Sequence, residues 1–301
     1  MIPRSLTIGN FDGVHLGHQK LIDKVREVAE ENGWRPAAIT FHPHPIQILA
    51  PERAPQLLMP IDERIHQMKQ YGLEEVICLP FTKEMALLTP AQFAEQILAQ
   101  QCGARAVIVG DNFRFGHRQA GDVKTLQDLG QRLNFITNVV GAVTRRGQIA
   151  SSSCIRKLLK AGEVSKACRL LNRPFSIHGP IVSGHGVGAK QTVPTLNLET
   201  KTEVLPANGV YVTSTILPGA STATPSITNI GMRPTFGGDK LTIETFLLDG
   251  ISTHPESITL RFHRRIREER LFPSPEELKA QIMKDVGRAK AYWRHYQALT
   301  L

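Results

Sequence analysis

The sequence lacks long apolar runs: no stretch approaches the roughly 18 consecutive apolar residues that a membrane-spanning helix needs. Its N-terminus also lacks the charged start, apolar middle and small-residue cleavage site of a signal peptide. Cysteine is scarce, and the four present, at positions 78, 102, 154 and 168, show neither a Cys-x-x-Cys pair nor a zinc-type spacing. These absences exclude a membrane helix and a disulfide framework, and they predict a cytoplasmic chain with reduced thiols.

The composition is that of a globular protein with enough residues for two domains. Of the 301 residues, 41% are hydrophobic and 21% charged, and the net charge is +9. A basic chain fits an acidic ligand such as ATP, but it also fits nucleic acid. The basic cluster at residues 261–270 is interrupted by Phe262, Ile266 and two glutamates. We interpret it as a solvated strand-to-helix junction, and we expect no nucleic-acid partner.

Strands and helices alternate along residues 1–172, which predicts an α/β domain with a Rossmann-like parallel sheet. After about residue 172 the chain becomes rich in Thr, Val, Gly and Pro, and short alternating apolar runs follow one another closely. Residues 173–301 therefore read as an all-β domain, an antiparallel barrel, with a terminal helix from residue 274. The predicted strands cover residues 6–8, 37–41, 75–79, 106–109 and 135–143, then 175–181, 210–216, 226–230, 241–248 and 257–262.

Residues 9–18, Gly-Asn-Phe-Asp-Gly-Val-His-Leu-Gly-His, join the first strand to the first helix. Glycines let the backbone turn sharply near a ligand, and the amides at a helix start attract an anion. His15 and His18 lie one helical turn apart, and Gly17 leaves room for a phosphate. A metal site is less favoured because no carboxylate or cysteine shares that helix face. The predicted phosphate-binding residues of this loop are Gly9, Asn10, Phe11, Asp12, His15, Gly17 and His18.

A second candidate is the run Ser151, Ser152, Ser153, Cys154, Ile155 and Arg156, at the start of a predicted helix. Serines here would serve in an ordinary capped helix. Arg156, however, falls one turn into the helix and adds a fixed positive charge beside hydroxyls and amides. We therefore expect this segment to hold the β- and γ-phosphates of ATP, which leave as pyrophosphate.

The loop at residues 9–18 resembles that of the HxGH nucleotidyltransferases, and residues 151–156 resemble their Ser-Ser-Thr-x-Ile-Arg signature, with Ser153 in the threonine position. Together with residues 40–45 and 110–116, they occur in the order seen in the prokaryotic bifunctional riboflavin kinase/FAD synthetase family. The second half continues the likeness with Pro-Thr-Leu-Asn at residues 194–197, Gly-Met-Arg-Pro-Thr-Phe at residues 231–236, and Glu244. The resemblance covers nearly the whole chain.

The resemblance implies two reactions, both dependent on Mg²⁺. The barrel would transfer the γ-phosphoryl group of ATP to riboflavin, and the N-terminal domain would then join the resulting FMN to AMP from a second ATP, giving FAD and pyrophosphate. His15, His18 and Arg156 would stabilise charge on the phosphates. Candidate flavin contacts are His44, Asn112 and Phe113; loop rigidity for the histidine and core packing for the phenylalanine are the alternatives.

For the kinase, Thr195 and Asn197 offer oxygen ligands from alternate positions, which suits a hard cation and phosphate oxygens. Glu244, in an alternating strand, can accept the proton of the attacking hydroxyl. The glycine-rich residues 179–190 match neither a P-loop nor a dinucleotide fingerprint. We interpret them as a flap over the ATP phosphates, with Gly184, Gly188 and Lys190 as contacts.

The chain departs from the family pattern at residues 189–193 and 251–254, so the kinase-side flavin contacts are less defined. The first strand begins within a few residues of Met1, whereas family members carry a longer lead, and an upstream start stays open. Two other functions stay open as well: an HxGH adenylyltransferase for another phosphorylated vitamin, and a tRNA- or RNA-binding protein. The absence of a Lys-Met-Ser-Lys-Ser-like loop and the paired ATP motifs favour the flavin enzyme. The oligomeric state is not indicated.

Overall fold

The computed structural model describes residues 2–182, 195–235, 238–250 and 255–300. The chain forms two compact units, Met1–Ser152 and Ser153–Leu301. The two helices after residue 151, which the sequence analysis placed in the first domain, group with the second unit.

The first unit alternates strands and helices from its first residues onward. Its elements are β1 (Arg4–Ile8), α1 (Leu16–Asn32), β2 (Arg35–His42), α2 (Pro45–Leu49), a 3-10 turn (Pro51–Arg53), α3 (Ile61–Gln70), β3 (Glu75–Pro80), α4 (Lys83–Ala86), α5 (Pro90–Gln92) running into a π-helix (Phe93–Gln101), β4 (Ala104–Gly110), a 3-10 turn (His117–Gln119), α6 (Val123–Leu133), β5 (Ile136–Val140), and the hairpin strands β6 (Thr144–Arg145) and β7 (Gln148–Ile149).

Five parallel strands form its sheet in the order β3-β2-β1-β4-β5. The central strand β1 is buried on both faces: Leu6 and Ile8 pack into one apolar core cluster, and Ser5 and Thr7, which alternate with them, are also buried. Strand order reverses between β1 and β4, so the carboxyl ends of these neighbours border a crevice, where ligands of such sheets bind. The loops after Ile8 and Gly110 therefore share one sheet edge. The predicted Rossmann-like α/β unit is confirmed.

Two details of the first unit differ from the sequence prediction. Helix α6 was missed, although Asp122 caps it by accepting a hydrogen bond from the backbone amide of Thr125 at 2.8 Å, and Leu126 and Leu129 bury its apolar face. Strand β5 ends at Val140, three residues before the predicted end, because the chain leaves the sheet edge there.

The second unit contains α7 (Ser152–Lys160, whose first residue closes the first unit), α8 (Val164–Leu171), β8 (Phe175–Val182), β9 (Leu196–Leu198), β10 (Gly209–Ile216), β11 (Thr224–Thr235), β12 (Gly238–Leu247), β13 (Ser257–Glu268) and α9 (Pro275–Thr300). Six strands close a barrel in the order β10-β11-β12-β9-β8-β13, and each neighbouring pair is antiparallel. The predicted antiparallel barrel with a terminal helix is confirmed.

The two faces of the barrel wall differ in chemistry. Buried hydroxyls of Thr213, Thr228 and Thr245 bond to one another from three adjacent strands, at 2.7 and 2.5 Å. The alternate residues face the other way, and on that side an apolar cluster joins the barrel wall to α9. Its members are Val210, Val212, Ile227, Leu248, Val286 and Ala289.

The predicted strand-to-helix junction at residues 261–270 is wrong in where it begins, because most of these residues belong to a strand. Strand β13 continues to Glu268, and its register with β10 runs from Thr259 to the strand's last residue. Arg267 is not a solvated charge, since its Nε donates to the buried carboxylate of Asp285 on α9 at 2.7 Å. The basic cluster thus joins the terminal helix to the barrel.

Candidate active sites

The histidine loop, residues 9–18, brings two imidazole rings together at the start of α1. His15 is the N-cap, and its Nδ1 accepts a hydrogen bond from the backbone amide of Gly17 at 3.2 Å. In a neutral His15 ring the proton therefore sits on Nε2, which makes that atom a donor. The rings of His15 and His18 stack with their centroids 3.7 Å apart and 19° between their planes. A ring donor beside the first amides of α1 suits an anion.

The structure gives a steric reason for glycine at position 17, in addition to the space for phosphate that the sequence suggested. A Cβ at this position would lie 3.1 Å from Cε1 and 3.2 Å from Nδ1 of His15, and 3.4 Å from the carbonyl oxygen of Ala150. A side chain would thus press on the capping ring. Gly17 keeps the histidine pair close to the first amides of α1.

Two of the other predicted loop residues, Phe11 and Asp12, are buried in the protein. Phe11 is 1% exposed and lies in the core, with its ring edge-on to that of His18 and the two centroids 5.1 Å apart. The carboxylate of Asp12 is buried and accepts hydrogen bonds from the backbone amide of Leu58 at 2.9 and 3.1 Å. Gly9 is half-buried, and its amide donates to the carbonyl of Ile39 at 3.1 Å. These residues shape the loop from within.

The serine segment meets the histidine loop through Ser152. Its hydroxyl donates to the backbone carbonyl of Asp12 at 2.8 Å, which joins two motifs that are far apart in sequence. Ser151 is half-buried and Ser153 is exposed. Arg156 is half-buried in α7, one turn after the helix begins, next to the fully buried Ile155.

The flavin candidates are placed in different ways. His44 is buried and its Nδ1 accepts from the amide of Ile46 at 3.3 Å, forming a capping box with Gln47 at the start of α2. This use of Nδ1 supports the alternative in which His44 makes the loop rigid. Asn112 is exposed just beyond β4, at the sheet edge that also carries the histidine loop. Phe113 is half-buried and stacks on Phe115 with centroids 5.5 Å apart.

In the second unit, strand register builds a polar row. Asn197 of β9 pairs with Glu244 of β12, and Glu244 pairs with Asn229 of β11. Residues directly opposite in antiparallel strands have Cβ atoms about 5 Å apart and point to the same face. We call Asn197, Glu244 and Asn229 the polar row. All three are half-buried, while Thr195 is exposed immediately before β9.

Asn229 and Glu269 are two residues of this region that the sequence analysis missed. Glu269 follows β13, and its carboxylate accepts hydrogen bonds from the amide of Met232 at 3.1 Å and from Nδ2 of Asn208 at 3.0 Å. A Cβ on Gly231 would lie 2.0 Å from Oε1 of Glu269 and 3.2 Å from Nδ2 of Asn229. The carboxylate therefore lies over the glycine that opens the motif at residues 231–236.

Several predicted kinase contacts lie outside the described residues. These are Gly184, Gly188 and Lys190 of the glycine-rich segment, the divergent residues 189–193 and 251–254, and Phe236. Across the ranges that the structure describes, no three His, Cys, Asp or Glu side chains are grouped to hold a metal ion. A cation in the barrel would accordingly rely on hydroxyl and amide oxygens together with phosphate oxygens.

The two units thus define a class: a two-part ATP-dependent transferase, with a histidine loop at the crevice of a parallel sheet and a carboxylate flanked by two asparagine side chains on a closed barrel. Family models divide the chain in the same way, with FAD synthetase matching residues 2–154 and riboflavin kinase matching residues 171–293.

Curated relatives carry a single name, bifunctional riboflavin kinase/FMN adenylyltransferase. The Pseudomonas fluorescens protein is 37% identical over 287 residues, covering 95% of this chain and 91% of the relative. The Escherichia coli K12 protein is 32% identical over 289 residues, covering 96% and 92%. The chain belongs to the bifunctional riboflavin kinase/FMN adenylyltransferase family, and it phosphorylates riboflavin to FMN and adenylylates FMN to FAD with ATP as co-substrate. The predicted family, enzyme class and function are confirmed.

The crystal structure of a macrolide-efflux protein from Streptococcus pneumoniae matches with a TM-score of 0.87 and 25% identity, covering 96% of this chain and 95% of that one. The efflux name belongs to the pneumococcal protein alone. In the part of the chain that the structure describes, no helix is both long and apolar enough to cross a membrane.

Proposed function

We propose that the two reactions of this family are divided between the histidine loop and the polar row, with the following residue roles. The observation that supports the division is the separate setting of each group: the stacked histidines lie in the first unit, while Glu244 and its two asparagine neighbours lie in the second. The proposed functional domains are residues 1–172, which include the whole serine segment, and residues 173–301.

In adenylyl transfer, a phosphate oxygen of FMN attacks the α-phosphorus of ATP, and the bond from that phosphorus to the β-phosphate oxygen breaks. His15 and His18 donate hydrogen bonds to the phosphate oxygens on which charge develops, with the first amides of α1 beside them. Arg156 and the hydroxyls of Ser151 and Ser153 hold the leaving pyrophosphate. Ser152 acts differently, because its hydroxyl is already donated to the carbonyl of Asp12. Gly9, Asn10, Phe11 and Asp12 shape the loop.

In riboflavin phosphorylation, the 5′-oxygen forms a bond to the γ-phosphorus of ATP, the bond from that phosphorus to ADP breaks, and the hydroxyl proton passes to the Glu244 carboxylate. Asn197 is positioned beside that carboxylate by register. The hydroxyl of Thr195 and the amide oxygen of Asn197 are hard donors that fit Mg²⁺, which would neutralise charge on the ATP phosphates. Gly184, Gly188 and Lys190 are proposed as contacts to those phosphates.

The ligands of the proposed sites are riboflavin, FMN, FAD and two ATP molecules, with His44, Asn112 and Phe113 as the flavin-facing group of the first unit. Asn112 is the best placed of the three, because it is exposed at the shared sheet edge. Since both reactions consume ATP, we place the enzyme in the cytoplasm.

The metal assignment is tested by titrating each activity separately with Mg²⁺ after treatment with EDTA. Replacing Asn197 by Ala should raise the Mg²⁺ concentration that half-activates riboflavin phosphorylation by about tenfold, because one oxygen ligand is lost. The Mg²⁺ requirement of FMN adenylylation should stay unchanged. An Asn197→Ala variant with wild-type Mg²⁺ dependence in the kinase assay would remove Asn197 as a ligand.

A further inference from the structure

A buried arginine that the reaction does not use lies directly beneath the histidine loop. Arg64, on α3, is 1% exposed. Its Nη1 donates to the backbone carbonyl of Asn10 at 2.9 Å, and its Nη2 lies 3.4 Å from the carbonyl oxygen of Met59 and 4.0 Å from Oδ1 of Asp12. An arginine removed from water is costly unless it is paired and hydrogen-bonded, so its position calls for a reason.

Asp12 completes the arrangement from the loop side. Its carboxylate is 2% exposed and accepts from the amide of Leu58 with both oxygens, at 2.9 and 3.1 Å. Its backbone carbonyl accepts from the hydroxyl of Ser152, and the carbonyl of Asn10 also lies 3.4 Å from the hydroxyl of Thr40. Elements distant in sequence thus hold the backbone on both sides of Phe11.

The loop needs such support because its own backbone is strained. Phe11 has φ of 50° and Val14 has φ of 40°, in the left-handed region that favours glycine. Each such residue costs about 1–3 kcal/mol and persists only when the surrounding structure holds it in place. Val14 immediately precedes His15, so a relaxed loop would re-aim the capping ring and with it the stack on His18.

We propose that Arg64 and Asp12 form a buried charge clamp that positions His15 and His18 for adenylyl transfer. Neither side chain touches substrate; both are positioning residues. This assigns Asp12 a different task from the phosphate contact that the sequence suggested, because its carboxylate is buried against Leu58 and Arg64. The inference rests on the proposed role of the histidine pair.

The clamp differs from ordinary core packing in its charge balance. Replacing Arg64 by Met removes the guanidinium beside the buried Asp12 carboxylate, which is the costly way to break a buried pair. Replacing Asp12 by Asn as well removes both charges and keeps a side-chain oxygen for the Leu58 amide. Asp12→Asn should therefore restore part of the adenylylation activity that Arg64→Met removes.

The experiment measures kcat and KM for FMN adenylylation, with riboflavin phosphorylation by the same chain as the control for folding. Arg64→Met should lower the adenylylation kcat by about 100-fold, since a displacement of about 1 Å can cost that much. The KM for ATP should change by less than about threefold, because the clamp makes no substrate contact. Kinase activity should stay within about twofold of wild type.

The Arg64→Met/Asp12→Asn double variant should recover at least about tenfold in kcat over Arg64→Met alone, and Arg64→Lys should lie between Arg64→Met and wild type. Arg53→Met is the matched control, because the Arg53 side chain is 83% exposed and should leave both activities unchanged. His18→Ala, assayed alongside, tests the histidine role itself: its failure to abolish FAD formation would overturn the proposed function, whatever the clamp variants do.

Three results would overturn the clamp: an Arg64→Met chain with wild-type adenylylation kcat, a double variant no better than Arg64→Met, or an Asp12→Asn chain whose main change is a higher KM for ATP, which would make Asp12 a ligand. If Arg64→Met loses both activities because it does not fold, Arg64→Lys and Asp12→Asn apply the same criteria. Wild-type kcat in both of these variants would then be the contradicting result.

Discussion

The histidine loop and the polar row, the two sets of polar groups proposed to face ATP, are built in opposite ways. The loop is a continuous segment whose strained backbone is held from below by Arg64 and from the side by Ser152. The polar row is assembled from β9, β12 and β11, and strand pairing brings its three residues side by side. The first arrangement presents one continuous segment and depends on buried charge; the second joins three strands and depends on register. The two should therefore fail independently and under different conditions.

The largest expected effect comes from the histidine loop. His18→Ala should lower FAD formation by about 1,000-fold, since it removes a donor to the developing phosphate charge and the stacking partner of His15. FMN should accumulate when riboflavin is the substrate, as separation of the flavins by chromatography would show. His66→Ala, an exposed histidine in the same unit, is the control. Equal loss of both products would contradict the division between units.

The converse substitution lies in the polar row. Glu244→Gln should lower riboflavin phosphorylation by about 100-fold, because the amide cannot accept the hydroxyl proton, while added FMN is still adenylylated. The strand pairing should be preserved, since the two side chains are nearly the same size. Glu256→Gln, at an exposed carboxylate of the same unit, should change neither reaction. Retained kinase activity in Glu244→Gln would remove Glu244 as the base.

Low pH should destabilise the second unit, which holds the polar row, through His263 of β13. Burial, with the nearby charge of Arg261, lowers the pKa of His263 to about 4 from its ordinary 6.5. Nε2 of the ring shares a hydrogen bond with the hydroxyl of Ser214 at 3.0 Å. The ring also contacts the rings of Tyr292, Trp293 and Tyr296 on α9.

Between about pH 6.5 and about pH 4 the unfolded chain binds a proton at His263 that the folded barrel does not bind. This contribution to stability is therefore present above about pH 6.5 and is lost as the pH falls toward about 4, by about 3 kcal/mol. Urea unfolding followed by Trp293 fluorescence in a Trp34→Phe background measures it. His263→Phe should remove this slope, and exposed His295→Gln should keep it. An unchanged slope in His263→Phe would contradict the assignment.

The smallest effect concerns the support of the polar row. Gly231→Ala should displace the Glu269 carboxylate and weaken its bonds to Met232 and Asn208, lowering kinase kcat/KM by about fivefold, or about 1 kcal/mol. Glu269→Ala should cost a similar amount. In the Glu269→Ala chain, Gly231→Ala should add little, because the displaced group is already gone. Additive losses would show that the glycine is needed for another reason.

The same contrast explains how much the sequence revealed. A site on one continuous segment is visible in a local pattern: the order strand, loop and helix and the spacing of His15, Gly17 and His18 were sufficient to predict the loop, and its phosphate chemistry stays a prediction. Family resemblance added the pairing of this loop with the serine segment and the residues Thr195, Asn197 and Glu244. The fold class of each half followed from the change in periodicity near residue 172.

What the sequence could not show depends on pairing in three dimensions. Asn229 became a neighbour of Glu244 only through the register of β11 and β12, and β11 continues to Thr235, beyond the predicted end of that strand at Ile230. Arg64 did leave a signal: it occupies a position on the buried face of α3, one turn before Met68. A charged residue in an apolar stripe is informative about a buried partner.

Mixing two inactivated chains tests the central claim most directly. His18→Ala should convert riboflavin to FMN and stop, and Glu244→Gln should leave riboflavin untouched while accepting FMN. Neither chain alone should make FAD from riboflavin and ATP, whereas the mixture should make it at a rate set by FMN released into solution. If His18→Ala also loses riboflavin phosphorylation, or Glu244→Gln also loses FMN adenylylation, so that the mixture forms no FAD, the two residue sets do not act as separable sites.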